Sequence, residues 1–412
     1  MKKAFVNGLL SGASILNFST MVLLFLTASG VVSGEVLRER ISINEGWRFY
    51  KYPSGMLTDR LIYDVRPEVT DRNDSKAADS KPTEALKQEA SAGVLKPWIL
   101  PSGNKFINNP ADRHVRPEGN PGSDFPFVQN DFDDASWRKI NLPHDWGVEG
   151  PFLAGWEAEV GGGMGRLASH GVAWYRKKLD IPMSDKGKFF MLEIDGAMSY
   201  AMVWLNGHLV GGWPYGYNSF HLDLTPWVVP GGDNQLAIRI DNPPSSSRWY
   251  PGGGIYRNVW LTKTNSVHVG QWGTFVTART ISKVKATISM EATIRNDSET
   301  PQVVEMHTRV FEYGADGKVG KKPVVAFPML KAKIPAGEEI NMPGSVVLGN
   351  PKLWGPPPTQ KPHLYLAETT LMVDGTPVDR YETRFGIRSL EFHPEKGLLV
   401  NGEKIRIRGV NQ

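Results

Sequence analysis

Apolar and polar residues alternate with a period of two over much of this chain, and glycine- or proline-rich breaks separate the alternating stretches. Ile41-Ser-Ile-Asn-Glu-Gly-Trp-Arg-Phe49 reads as one half-buried strand. Further strands are expected over 174–179, 188–194, 200–205, 208–212, 220–224, 235–240 and 258–264. Asn206-Gly207 lies between two of these apolar runs and marks a two-residue hairpin. A second series follows at 287–295, 302–313, 324–334, 345–348, 364–373 and 378–385, with Asp316-Gly317 and Asp374-Gly375 as turns. Trp354-Gly-Pro-Pro-Pro358 reads as a rigid link carrying the chain from one sheet to another. Strands at this spacing predict an all-β protein: first a jelly-roll sandwich, then a sandwich of immunoglobulin-like size, which is about 100 residues.

Two stretches depart from the pattern. Residues 51–130 are polar, then rich in Pro, Gly and Asn, and read as a long inserted loop with one short helix near 84–90; a loop of that length is either functional or mobile. At the start, Lys2-Lys3 precede the apolar run Met21-Val-Leu-Leu-Phe-Leu26 and a small-residue segment ending at Gly34. That order predicts an export signal over 1–34 and a secreted or periplasmic protein; a single membrane anchor is the alternative. No later stretch is apolar enough to span a bilayer, so no membrane association is expected after cleavage.

Composition sharpens this picture. Gly 43 and Pro 30 of 412 residues make about 18%, against a usual ~12%, which favours turns over a helical bundle. The net charge of +4 falls to +2 without Lys2 and Lys3, and no basic stripe is present, so nucleic acid is not an expected partner. The absence of cysteine removes disulfides and thiolate chemistry but does not argue against export.

Most candidate chemical motifs lead nowhere. Gly161-Gly-Gly-Met-Gly165 lacks the strand and helix of a dinucleotide site. His144-Asp145 has no Gly-x-Ser-x-Gly partner. Glu157 and Glu159 lie on a loop that does not fix the carboxylate separation glycoside hydrolysis requires. The nine histidines are scattered without metal spacing, so no metal, cofactor or catalytic residue is assigned. Trp213-Pro-Tyr-Gly-Tyr-Asn-Ser-Phe220 and Ser247-Arg-Trp-Tyr-Pro-Gly-Gly-Gly-Ile-Tyr256 mix aromatic rings with glycine and polar groups. Such rings either stack on sugar faces or fill a sandwich core and fix loops.

Eight segments, in order, resemble glycoside hydrolase family 2, which includes β-galactosidases, β-glucuronidases and β-mannosidases. They are Gly46-Trp-Arg-Phe49, Phe132-Asp-Asp-Ala-Ser-Trp137, Leu142-Pro-His-Asp-Trp146, Ala173-Trp-Tyr-Arg-Lys177, Val203-Trp-Leu-Asn-Gly207, Gly254-Ile-Tyr-Arg-Asn-Val259, Arg384-Phe-Gly-Ile-Arg388, and Val400-Asn-Gly-Glu-Lys404 running on to Arg408-Gly-Val-Asn411. His144-Asp-Trp146 and Arg248-Trp-Tyr-Pro251 are more similar to the β-galactosidase-like branch. The resemblance implies a galactose-binding-like jelly roll over 35–266, with the insertion at about 51–130, and an immunoglobulin-like sandwich over 267–388. It further implies that 389–412 is a hairpin feeding the first strand of a (β/α)8 barrel of about 250 residues that this sequence lacks, with both catalytic glutamates of the retaining mechanism. By the same resemblance Asp145, Arg248, Trp249 and Tyr250 lie on loops that reach the sugar pocket, and Asn411 lies beside it. The resemblance implies that Asp145 and Arg248 hydrogen-bond sugar hydroxyls and that Trp249 or Tyr250 lines the subsite; a turn or capping role is the alternative for Asp145, and a structural role that for Arg248.

Three functions follow as expectations: the non-catalytic N-terminal part of a secreted β-galactosidase-like hydrolase acting on β-galactosides or related β-glycosides, inactive as this chain alone; a stand-alone carbohydrate-binding module; or a structural sandwich protein. The first implies a barrel carried by a longer chain or by a partner chain.

Overall fold

A computed structural model describes residues 36–53, 96–152, 167–242 and 252–409, together with short strand pieces at 61–62, 67–68, 84–85 and 93–94. The expected export signal lies outside these residues, as do Gly161–Gly165, Glu157 and Glu159. Among the described residues no helix is long and apolar enough to cross a membrane.

The first sandwich is a jelly roll of the galactose-binding type. Its strands are β1 (Arg38–Ser42), β2 (Trp47–Lys51), β3 (Arg138–Ile140), β4 (Gly171–Lys178), β5 (Phe189–Ile194), β6 (Ala201–Leu205), β7 (His208–Trp213), β8 (Phe220–Asp223), β9 (Gln235–Asn242) and β10 (Val259–Thr264). They form a four-stranded sheet, β1-β10-β5-β8, and a six-stranded sheet, β7-β6-β9-β4-β2-β3. The single strand expected over 41–49 is therefore two strands in different sheets. Gly46, with a positive φ of 70°, makes the break, and alternation alone does not register a change of sheet. Leu192, Ile194, Val203, Ile238, Leu261 and Trp47 fill the space between the sheets.

The alternate residues of the six-stranded sheet are apolar too. Trp174, Met202, Trp204 and Ala237 point away from that core and are buried under the segment from Ile99 to Trp137. Phe127 stands edge-on to Trp174 at 5.5 Å, and Trp204 donates its indole N–H to the Pro121 carbonyl at 2.9 Å. Fully buried Arg176 donates to Asp134 Oδ2 (2.9 Å) and to the carbonyls of Phe127, Gln129 and Phe132. Residues 96–130, expected to be a mobile or functional loop, thus form an irregular third layer, held by short turns (Lys96–Ile99, Leu100–Phe106, Pro110–Asp112, Pro126–Val128) and aromatic packing. The short helix expected near 84–90 is not seen where it is described: Glu84–Ala85 pairs antiparallel with Pro67–Glu68.

The second sandwich is immunoglobulin-like. A three-stranded sheet joins β11 (Val267–Arg279), β12 (Lys285–Asn296) and β16 (Glu338–Gly349). A five-stranded sheet joins β14 (Val325–Ala326), β13 (Gln302–Tyr313), β17 (Leu364–Val373) and β18 (Thr376–Phe385), with β15 (Leu330–Ile334) also on β13. Pro328 splits the strand expected over 324–334 into β14 and β15. Pro343 sits within β16, which is an edge strand where a missing N–H is tolerated. The turns expected at Asn206-Gly207 and Asp374-Gly375 both have two consecutive positive φ angles, as a two-residue hairpin requires.

Polar contacts join the sandwiches. Arg38 of β1 grips Asp379 of β18 through two hydrogen bonds of 3.0 and 2.9 Å, and Asp379 also accepts from the Val269 amide at 2.8 Å. Phe189 stacks on His268 at 4.7 Å. At the C-terminal side, β19 (Leu390–His393), β20 (Gly397–Val400) and β21 (Glu403–Lys404) form a small antiparallel sheet. Asn401 ties it to the proline-rich link by donating to Trp354 O and Gln360 Oε1, each at 2.8 Å. The strand expected to continue through Arg408 ends at Lys404: Ile405 still donates its amide to Leu398 O at 2.9 Å, while residues 406–409 pair with no strand among the described residues and Ile407 is exposed.

Candidate functional site

At one end of the jelly roll, the chain departs from the described residues at Asn242 and returns at Gly252. Arg248, Trp249 and Tyr250 fall in that interval, outside the described residues, and so does Asn411. Of the sequence-assigned residues, Asp145 is the one whose surroundings can be read.

Asp145 immediately precedes the short helix Trp146–Glu149 and caps it. Its Oδ1 accepts from the amides of Gly147 (2.8 Å) and Val148 (3.3 Å), and from Gly253 across the chain at 2.9 Å. Trp146 reinforces the link: its amide donates to Gly253 O and its indole N–H to Ser169 O, both at 2.9 Å. Asn242, before the gap, donates through Nδ2 to Ser169 O and to Gly252 O, each at 2.7 Å. Asn242 and Gly252, which flank residues 243–251, are therefore fastened to one another, and Gly253 is fastened to the Asp145 helix. Glycine is required here by close approach: a Cβ on Gly253 would lie 2.3 Å from the Trp146 ring, and one on Gly254 would lie 2.4 Å from the Tyr175 hydroxyl.

His144 is not poised as a catalytic base. The Arg138 guanidinium, which can only donate, lies 2.8 Å from Nε2, so the ring proton sits on Nδ1, 2.8 Å from the Tyr175 hydroxyl. Burial lowers its pKa and keeps it neutral, and burial likewise raises Tyr175 well above the phenol range. Arg138 also grips Glu149 through both carboxylate oxygens at 2.6 and 2.8 Å, which holds Glu149 below the usual carboxylate range. Beside these groups lies an open cleft of 530 Å³ whose walls include Asp145, Glu149 and Tyr256.

The aromatic motif divides between the two roles left open for it. Trp213 packs on the core, stacked on Phe220. Tyr215 and Tyr217 are exposed and 5.8 Å apart, and Tyr217 lies 6.4 Å from Tyr256, whose hydroxyl donates to Gly216 O at 2.7 Å. Burial and the neighbouring tyrosines push the Tyr217 phenol up. Sequence reasoning missed the Asn242 clasp and the Arg138–His144–Glu149 cluster. The clasp joins Asn242 to Ser169, 73 residues away, and the cluster, although its ends are only 11 positions apart, has no motif spacing and closes only through the turn between β3 and the Asp145 helix. Among the described residues no group of three or more His, Asp or Glu side chains could hold a metal ion.

Comparison with known proteins accords with this architecture. The family model for glycosyl hydrolases family 2 matches residues 267–388, and that for the glycosyl hydrolase 2 galactose-binding domain-like fold matches residues 166–250. The chain is 38% identical over 290 residues to a β-galactosidase of Bacteroides ovatus, which covers 70% of this chain and 32% of that protein. It is 31% identical over 290 residues to a putative β-glucuronidase of Formosa agariphila, covering 69% and 25%. Among solved structures, a glycosyl hydrolase family 2 member from Bacteroides cellulosilyticus aligns with a TM-score of 0.64 at 24% identity, covering 90% of this chain and 38% of that one. A family 2 β-glucuronidase aligns with a TM-score of 0.64 at 22% identity, covering 92% and 33%. The chain thus spans between a quarter and a third of the length of these two sequence relatives.

Proposed function

The chain belongs to glycosyl hydrolase family 2, as its non-catalytic N-terminal portion, and from that premise we propose that it positions the sugar for a β-galactosidase-like active site carried on a (β/α)8 barrel. The barrel belongs to a longer chain or to a partner chain, and it supplies both catalytic carboxylates. In this reading residues 35–266 form the sugar-binding jelly roll, 267–388 the immunoglobulin-like spacer and 389–412 the entry to the barrel. The 1–34 segment exports the protein to the periplasm or medium. Its partner is a β-galactoside or related β-glycoside.

The observation that carries this reading is the clasp around residues 242–253. Asp145 Oδ1 accepts from three amides, so the residue fixes the flanks of the segment bearing Arg248, Trp249 and Tyr250, while its second oxygen faces a sugar hydroxyl. Those three residues contact the sugar, with exposed Tyr215 and Tyr217 as neighbouring stacking surfaces. Asn411 reaches the same pocket from the barrel side. Fixing the residues that flank such a segment lowers the ordering cost of binding.

The test is hydrolysis of 4-nitrophenyl β-D-galactoside by the barrel-containing protein and its Arg248→Ala and Asp145→Ala variants. Both variants are expected to lose at least tenfold in kcat/KM, about 1.4 kcal/mol of transition-state binding. Asp145→Ala should also loosen protease resistance at 243–251, which Arg248→Ala should not. Unchanged kcat/KM in Arg248→Ala overturns the assignment.

A further inference from the structure

A second cleft, sharing no residue with the one at Asp145, lies where the inserted layer, the four-stranded sheet and the second sandwich meet. It holds 280 Å³, just under the roughly 300 Å³ at which small-molecule sites begin. The insertion contributes Trp98 and Ser102, the four-stranded sheet His221 and Asp223, and the second sandwich Gln271; Trp227 completes the wall.

The chemistry of these groups selects a ligand. Trp98 has its indole N–H buried with no hydrogen-bond partner among the described residues. The Lys105 ammonium lies 3.1 Å from His221 Nδ1 and can only donate, so the imidazole carries its proton on Nε2. Burial and the nearby Lys105 and Arg295 charges hold His221 down to about 3, so it stays neutral. Gln271 donates to Glu193 through Nε2 at 2.8 Å, which leaves its amide oxygen as an acceptor. Burial pushes the Asp223 carboxyl up. Both guanidiniums on the rim are committed: Arg116 to the carbonyls of Leu209 and Val210, and Arg295 to both oxygens of Asp297. A phosphate or sulfate finds no uncommitted guanidinium among these residues. A ring bearing several hydroxyls finds indole surface, an imidazole N–H, an amide oxygen and the Asp223 carboxyl as donors and acceptors within a volume suited to one ring.

We propose that this cleft binds a single neutral pyranose unit, a carbohydrate site separate from the one at Asp145. The insertion then does more than cover the six-stranded sheet: it builds one wall of a binding site.

Saturation-transfer NMR of the chain with methyl β-D-galactopyranoside, methyl β-D-glucopyranoside, methyl β-D-mannopyranoside and methyl β-D-glucuronide tests this. At least one neutral glycoside is expected to bind with a Kd on the order of 1 mM, equally well in Asp145→Ala. Its affinity should fall at least tenfold in Ser102→Trp, which fills the cleft, and in Gln271→Ala, with melting temperatures confirming that both variants fold. Should no neutral glycoside bind the Asp145→Ala chain, should both cleft variants bind as the parent does, or should the glucuronide alone bind, the proposal is wrong. None of these outcomes bears on hydrolysis at the barrel.

Discussion

The two sandwiches solve the same packing problem in different ways. In the second, β12 alternates strictly between buried and exposed or half-buried residues along its length, and one face of its sheet meets solvent. In the first, β5, β6 and β9 are buried at every position, because the four-stranded sheet carries the second sandwich on its outer face and the six-stranded sheet carries the insertion. A strand with one solvated face announces itself by alternation; a strand covered on both faces demands a partner layer that the local pattern does not name. The sequence-distant partner here is a segment with almost no regular structure.

That contrast predicts how the regions respond to damage. Trp204→Ala, in the covered layer, should destabilise the first sandwich by about 3–5 kcal/mol, the cost of emptying a large buried site. A chemical-denaturation midpoint followed by tryptophan fluorescence reads it, and a change below about 1 kcal/mol breaks the comparison. Arg176→Met should cost about 3 kcal/mol, since it strips the hydrogen-bond partner from three carbonyls and Asp134; protease cleavage within 121–135 should rise with it.

Acid sharpens the comparison at the junction. His221 is held down to about 3 and His268 to about 4, each chiefly by burial. An imidazole in the unfolded chain titrates near 6.5. Between pH 6.5 and about 4 the unfolded chain therefore binds more protons, so stability is complete above that window and falls as pH drops through it. Melting temperatures measured from pH 7.5 to 4 should decline, and His268→Gln should flatten the decline. The smallest effect is expected on the open face: Glu291→Ala, in β12, should change stability by no more than about 0.5 kcal/mol.

The same contrast explains what could be read from residues alone. The strands at 302–313 and 364–373 are legible to the residue because buried positions alternate with less buried ones over most of each, and the Asn206-Gly207 and Asp374-Gly375 turns because positive φ has few solutions. The third layer was hidden because Phe125, Phe127 and Phe132 are scattered among prolines and glycines without a period. Local hints are Arg176 and Arg239, cations in the middle of buried strands of one sheet. At the candidate site, Asp145 before Trp146-Gly-Val-Glu149 carries the chemistry of a helix cap, which the structure bears out. Its grip on Gly253, 108 residues away, has no sequence signature.

The central claim is that these sandwiches serve a catalytic barrel beyond them, and the intact mass of the native protein from its source cells tests it most directly. The expected result is a species tens of kilodaltons heavier than 45.7 kDa, since a barrel adds about 250 residues, or a 45.7 kDa chain or its processed form in stable complex with a barrel-bearing partner. A species at or just below 45.7 kDa that copurifies with no such partner and hydrolyses no β-glycoside contradicts it.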